Sequence, residues 1–140
     1  MPDIIHQLTI AASPQDVYWA LTQPDRLAHW WTRDVRGKSE TGSILEFGFN
    51  ERGTVLRMQV TALVVDKHVA WHCQGNSPEW VDTNITFDLA QDNGGAVLRF
   101  AHRDWQSTEG IFGICSYDWA QYLRSLKVYL ETGAGNPHPG

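Results

Sequence analysis

From Val35 to Arg103 the apolar residues of this chain recur at every second position, and after Gly110 they recur at every third or fourth. This single change of period constrains the fold more than any other feature. In the first stretch Leu45, Phe47 and Phe49 alternate with Ile44, Glu46 and Gly48. Leu56, Met58, Val60 and Ala62 are expected inward, with Arg57, Gln59 and Thr61 outward. Val69, Trp71 and Cys73 then oppose His68, Ala70 and His72, and Ile85, Phe87 and Leu89 follow. Leu98, Phe100 and His102 share a last inward face, opposite Val97, Arg99, Ala101 and Arg103. Alternation of this kind marks half-buried strands. The connections are short: Asn50-Glu51-Arg52-Gly53, a polar loop from Gln74 to Pro78, and Asp92-Asn93-Gly94-Gly95, whose residues accept positive φ cheaply. Strands joined this way form an antiparallel meander with one buried face. After Gly110, Trp119, Leu123, Leu126 and Leu130, joined by Tyr122, form one amphipathic stripe about four turns long, and Gly133 stands where a C-terminal cap belongs. One sheet and one long helix to cover it predict a two-layer α+β sandwich.

The N-terminal stretch completes the order. Ile4, His6, Leu8 and Ile10 alternate with Ile5, Gln7 and Thr9, which reads as a further strand. Ser13-Pro14-Gln15-Asp16 is a helix start, with a cap, a proline preset for the first turn and an acid at the positive end of the dipole. That helix is expected to reach Thr22, with Val17, Ala20 and Leu21 inward; Pro24 opens a second short helix, Asp25 to Trp31. The whole reads as one domain over residues 1–132, with a Gly- and Pro-rich tail, 133–140, expected to fray.

Eleven basic and sixteen acidic side chains leave a formal charge of −5, so nothing marks a nucleic-acid or anionic-lipid surface. No stretch approaches the roughly eighteen apolar residues that span a bilayer, so membrane insertion is not expected. Met1-Pro2-Asp3 leads at once into the alternating segment, without the basic region and apolar run of a secretory signal. Cys73 and Cys115 lie far apart and fit buried thiols of a reducing compartment, so the expected location is cytoplasmic. Seven tryptophans are more than a minimal core of this size requires, and they pose the question of a solid core or a lined cavity.

Four stretches carry a family resemblance: IAASPQDVYWALTQPDRLAHWW (Ile10 to Trp31), TNITFDL (Thr83 to Leu89), LRFAHRDW (Leu98 to Trp105) and WAQYLRSLKVYLETGAG (Trp119 to Gly135). With the element order, they resemble the START-like (SRPBCC) superfamily, and within it the subfamily related to the activator of the ninety-kilodalton heat-shock chaperone's ATPase. The resemblance implies a helix-grip fold, with a curved sheet of six to seven strands wrapped around the C-terminal helix and a cavity between them. It places Phe47, Phe49, Met58, Trp71, Phe87, Phe100, His102, Trp119 and Tyr122 around that cavity, and Trp30 and Trp31 near its mouth. Members of the superfamily range from lipid and hormone carriers to cyclases and chaperone cofactors, so fold does not settle function. The expected function is non-enzymatic binding of a small hydrophobic or amphipathic molecule, with no cofactor. A chaperone-interacting protein and a cyclase- or hydratase-type enzyme using His102, with Tyr122 or Asp104 assisting, are the alternatives. For the chaperone reading, a single domain without the additional N-terminal domain of the eukaryotic activators is expected to be poorly equipped to span a large chaperone.

His102, on the face of Leu98 and Phe100, reads either as a polar handle in the cavity or as a core histidine satisfied by its neighbours. His6 reads as a packed, hydrogen-bonded histidine. His68 and His72 have the spacing of a helical metal pair, but on a strand their rings stand roughly 13 Å apart and point to solvent. No metal site is expected. Ser116 and Cys115 have no base near them in sequence, and Trp80 and Trp105 are mouth, interface or core-rim residues.

Overall fold

Ser13 caps the first helix as its chemistry requires: its Oγ accepts from the Asp16 N–H at 3.1 Å, and Pro14 takes the first helical position. The computed structural model describes residues 1–75 and 77–140, so Asn76, within the expected Gln74–Pro78 loop, lies outside the described residues. The elements run β1 (Ile4–Ile10), α1 (Pro14–Thr22), α2 (Pro24–Leu27), β2 (Asp34–Gly37), β3 (Ile44–Phe49), β4 (Thr54–Val64), β5 (His68–Gly75), β6 (Asn84–Asp92), β7 (Gly95–Arg103) and α3 (Phe112–Thr132). The strands form one curved antiparallel sheet in the order β1-β7-β6-β5-β4-β3-β2. This is the expected α+β helix-grip architecture. Among the described residues no helix is long and apolar enough to cross a membrane.

Asn93 (φ 46°) and Gly94 (φ 84°) make the two-residue turn of the β6–β7 hairpin, both in the left-handed region that such turns demand. The register brings Phe87 opposite Phe100, and Ile85 opposite His102, on the buried face. β4 departs from the simple alternation. Val60 pairs with Trp71 but Ala62 with Ala70, so Thr61 is an extra residue. The bulge reverses the parity of the strand: Leu63, opposite Val69, packs on the core, and Ala62, expected inward, is carried to the other face.

The second helix is also shorter than expected. It stops at Leu27, and Trp30 and Trp31 lie in the following turn, with both N–H groups reaching back to the Leu27 carbonyl. Trp30 Nε1 donates to the Ala20 carbonyl at 2.8 Å, which locks α2 against α1.

The tail differs most. Gly133, at φ 94°, ends α3 in the left-handed cap, and the chain then folds back instead of fraying. Asn136 N–H donates to Ser125 Oγ (2.7 Å), His138 N–H to the Trp31 carbonyl (2.8 Å), and Arg33 N–H to the His138 carbonyl (3.0 Å). Glu51 N–H donates to the Gly140 carbonyl at 3.1 Å, tying the tail to the β3–β4 turn. This return depends on Gly135, where a Cβ would meet the His29 carbonyl oxygen at 2.5 Å and the Ser125 oxygens at 3.0 Å. Gly135→Ala is therefore expected to lower stability by about 2 kcal/mol. The same substitution at Gly113, where a Cβ meets nothing within 4 Å, is expected to raise it by about 0.5 kcal/mol through reduced freedom of the unfolded chain. Urea denaturation of the two variants reads both signs.

Candidate functional site

Beside the N-terminal half of α3 a cavity of about 470 Å³ opens to solvent. Its walls come from five parts of the chain. α3 supplies Cys115, Asp118, Trp119 and Tyr122; the β3–β4 hairpin supplies Phe49, Asn50, Thr54 and Leu56. The β5–β6 connection adds Ser77, Pro78 and Trp80, and Trp31 and His138 close the remaining side.

The hairpin wall is held from outside by an ion-pair chain. Arg52, at the turn, places Nη1 2.7 Å from Asp34 and Nη2 2.6 Å from Glu46, and Glu46 also receives Arg57 Nε at 3.0 Å. Asp34 sits over Gly48, where any side chain would displace its carboxylate. On the opposite wall the Glu79 carboxylate accepts from the Ile111 N–H at 3.1 Å, joining the β5–β6 connection to the start of α3.

The apolar lining is a continuous stack of rings. Trp31 lies 4.9 Å from Trp119 and 6.1 Å, edge-on, from Phe49, while Trp119 and Trp80 stack at 6.0 Å. The His138 ring meets Phe49 edge-on at 5.1 Å. Polar groups stand at the rim. Burial, reinforced by the Asp118 carboxylate, raises the Tyr122 pKa, so its hydroxyl keeps its proton. Burial likewise raises the Cys115 thiol, whose sulfur accepts from Trp80 Nε1 at 3.4 Å. This is not the electropositive setting of a reactive cysteine. Cys73, deeper in the core, is pushed up to about 12 by burial and rests 3.4 Å from Met58 Sδ.

Of the residues that the family resemblance places at the cavity, Trp31, Phe49, Trp119 and Tyr122 border it. Phe47, Met58, Trp71, Phe87 and Phe100 are fully buried and fill the space behind it. Trp71 stacks on Trp31 at 6.0 Å and meets Phe87 edge-on at 5.1 Å; it is a floor and not a lining. Trp30, expected near the mouth, lies behind Trp31, also fully buried.

His102 is fully buried and is the centre of a closed chain of hydrogen bonds. An indole N–H only donates, so Trp119 Nε1, 3.1 Å away, makes His102 Nδ1 an acceptor. The proton then sits on Nε2, which donates to Thr83 Oγ1 at 2.8 Å, and Thr83 donates in turn to the Trp80 carbonyl at 2.6 Å. Every polar atom of the ring is used. Burial pushes the His102 pKa down to about 3, so the ring is neutral. It is the satisfied core histidine of the two readings, and it braces two indoles that line the cavity. Asp104 does not extend it: β7 ends at Arg103, and the Asp104 carboxylate accepts from Asn84 Nδ2 at 2.8 Å.

The other histidines singled out in the sequence are also engaged. His6 Nε2 lies 3.2 Å from the Ser116 carbonyl, His68 Nδ1 lies 2.6 Å from Asp88, and His72 bridges Asn84 and Asp82. Among the described residues no group of three or more His, Cys, Asp or Glu is placed to hold a metal ion.

Several lining residues are not evident from the sequence pattern. Cys115 stands four before Trp119, so extending the helical stripe one turn back would have found it. Asp118 and His138 carried no such signal: one is a polar neighbour of a stripe residue, and the other reaches the cavity only because the tail folds back.

The family model described as "Activator of Hsp90 ATPase homolog 1-like protein" matches residues 11–131. The chain belongs to this family. With it comes membership of the START-like superfamily. The solution structure of the Aha1 dimer from Colwellia psychrerythraea is 40% identical, with a TM-score of 0.89 over 96% of this chain and 100% of that one. A Staphylococcus saprophyticus protein (20% identity, TM-score 0.80, 99% of this chain and 98% of that one) shares the fold. So does CalU16 from Micromonospora echinospora (16% identity, TM-score 0.78, 96% and 76%). Comparison with curated proteins gives no significant match.

Proposed function

We propose that residues 1–132 form one binding domain that takes up a small hydrophobic or amphipathic molecule without transforming it, and that the 133–140 segment adds His138 to the rim of its site. The observation that carries this reading is the open cavity of about 470 Å³ walled by Trp31, Trp80 and Trp119. Its size falls within the roughly 300–1,000 Å³ of small-molecule sites, and few polar groups on apolar walls is their usual composition. Burying about 200 Å² of apolar ligand surface contributes about 5 kcal/mol towards binding, against the cost of immobilising the ligand. The enzymatic alternative loses its acid–base, because His102 does not border the cavity and has no free nitrogen. Two buried free thiols suit a reducing interior, and we take the cytoplasm as the site of action.

Native mass spectrometry of freshly purified protein tests the proposal. The expected result is a fraction carrying a small organic adduct that denaturation releases. Protein without adduct, whose tryptophan fluorescence ignores apolar probes at millimolar concentration, would contradict it.

A second reading comes from the family's description: an interaction with a ninety-kilodalton heat-shock chaperone that stimulates its ATPase. Co-purification with the chaperone and an ATPase assay decide it, and absence of binding at high micromolar concentration would end it.

A further inference from the structure

The cavity lining is aromatic and neutral apart from one carboxylate, Asp118, and one imidazole, His138. Trp31, Trp80, Trp119 and Phe49 present aromatic rings, whose π faces are negative. At the rim, Asp118 is the one carboxylate, and no lysine or arginine borders the cavity among the described residues. Asp118 is solvent-exposed, and among the described residues no ion pair engages it. The other acid on this side, Glu79, accepts from the Ile111 N–H and is not among the lining residues. Asp118 and Tyr122 stand one turn apart on α3, on either side of Trp119, so a carboxylate and a phenol hydroxyl face the same opening. The whole chain adds a net charge of −5.

These walls suit a positive head group and penalise a negative one. A fatty acid, a phosphate ester or an aryl carboxylate would bring its charge to Asp118 and find no lysine or arginine to meet it; the one basic group on the wall is the His138 imidazole, whose Nδ1 accepts from the Gly140 N–H at 3.1 Å. An ammonium group would find a carboxylate at the rim and aromatic rings along the wall, the two kinds of group that recognise organic cations. We infer that the molecule this cavity selects is an organic cation, an amine or quaternary ammonium on an apolar or aromatic body, with the body among Trp31, Trp80 and Trp119 and the head at Asp118. This rests on the proposal that the cavity binds a small molecule, and it specifies the charge class of that molecule.

The test is a matched series with one body and three heads: 4-phenylbutylammonium, 4-phenylbutan-1-ol and 4-phenylbutanoate, titrated at neutral pH and followed by tryptophan fluorescence. The ammonium compound is expected to bind at least about tenfold more tightly than the alcohol, and the carboxylate more weakly than either. In Asp118→Asn the ratio of ammonium to alcohol affinity is expected to fall to about threefold or less. Asp25→Asn, the same charge change on exposed α2, is expected to leave that ratio as it is. Equal binding of all three compounds, or tightest binding of the carboxylate, would overturn the cation inference while leaving small-molecule binding standing. An unchanged ratio in Asp118→Asn would remove Asp118 as the head-group partner and overturn the inference as well. If none of the three binds at millimolar concentration, the small-molecule reading fails and takes this inference with it.

Discussion

Replacing His102 with leucine is expected to lower the unfolding free energy at pH 7 by about 3 kcal/mol. Trp119 Nε1 would be left in a buried site without its acceptor, Thr83 would lose the Nε2–H it accepts, and a smaller apolar side chain would not refill the ring's space. The same substitution should also remove a pH dependence. His102 in the fold takes up a proton only near pH 3, whereas in the unfolded chain it does so near 6.5. Below about 6.5, therefore, the unfolded state gains a proton that the native state refuses. The stabilisation is complete above that pH and declines as the pH falls towards 3. At pH 5 the loss amounts to about 2 kcal/mol. Urea unfolding of the wild type and of His102→Leu at pH 7 and pH 5 separates the two effects. The variant should begin lower but lose less between the two pH values. Parallel declines would show that His102 is not a neutral, enclosed group.

Trp31→Ala is expected to cost about 4 kcal/mol. Trp31 is 2% exposed and lies at the junction of the core and the cavity, in ring contact with Trp30, Phe47, Phe49, Trp71 and Trp119. Its carbonyl also anchors the tail through His138 N–H, so disturbing its turn loosens a second element. Trp19 is the control. It is 39% exposed, with the Arg26 guanidinium 5.6 Å above its ring, and its truncation is expected to cost no more than about 1 kcal/mol. Shifts in the urea midpoint at constant slope measure both. Similar shifts for the two variants would contradict the placement of Trp31 as the keystone of the ring stack.

The meander was legible because its strands alternate over most of their length and its turns carry their own chemistry: Asn93-Gly94 determines the hairpin that sets Phe87 against Phe100. The bulge at Thr61 was not legible. One extra residue costs a strand little and leaves no mark when the flanking residues, Val60, Ala62 and Leu63, are all apolar. The tail misled for a related reason. Glycine and proline signal freedom when nothing holds them, but at Gly135 the missing side chain is what allows close approach to His29 and Ser125. At the site, the family resemblance pointed to Trp31, Phe49, Trp119 and Tyr122 along with others, and sharing a face could not separate a ring that borders the space from one that fills it. Trp71 and Phe100 share the inward face and are simply deeper. The tryptophan excess thus divides: Trp31, Trp80 and Trp119 line the opening, Trp30, Trp71 and Trp105 are interior, and Trp19 covers α1. The role of His102 was legible only as an alternative, since its partners Thr83 and Trp119 lie 19 and 17 residues away.

The most direct test of a binding cavity is to titrate ¹⁵N-labelled protein with 4-phenylbutan-1-ol and follow the indole N–H resonances. A ligand in the proposed cavity should shift the signals of Trp31, Trp80 and Trp119 saturably, with one common Kd, while those of Trp19 and Trp30 stay in place. Indole signals that stay fixed at millimolar ligand, or that all drift together without saturation, would contradict a binding cavity at this end of α3.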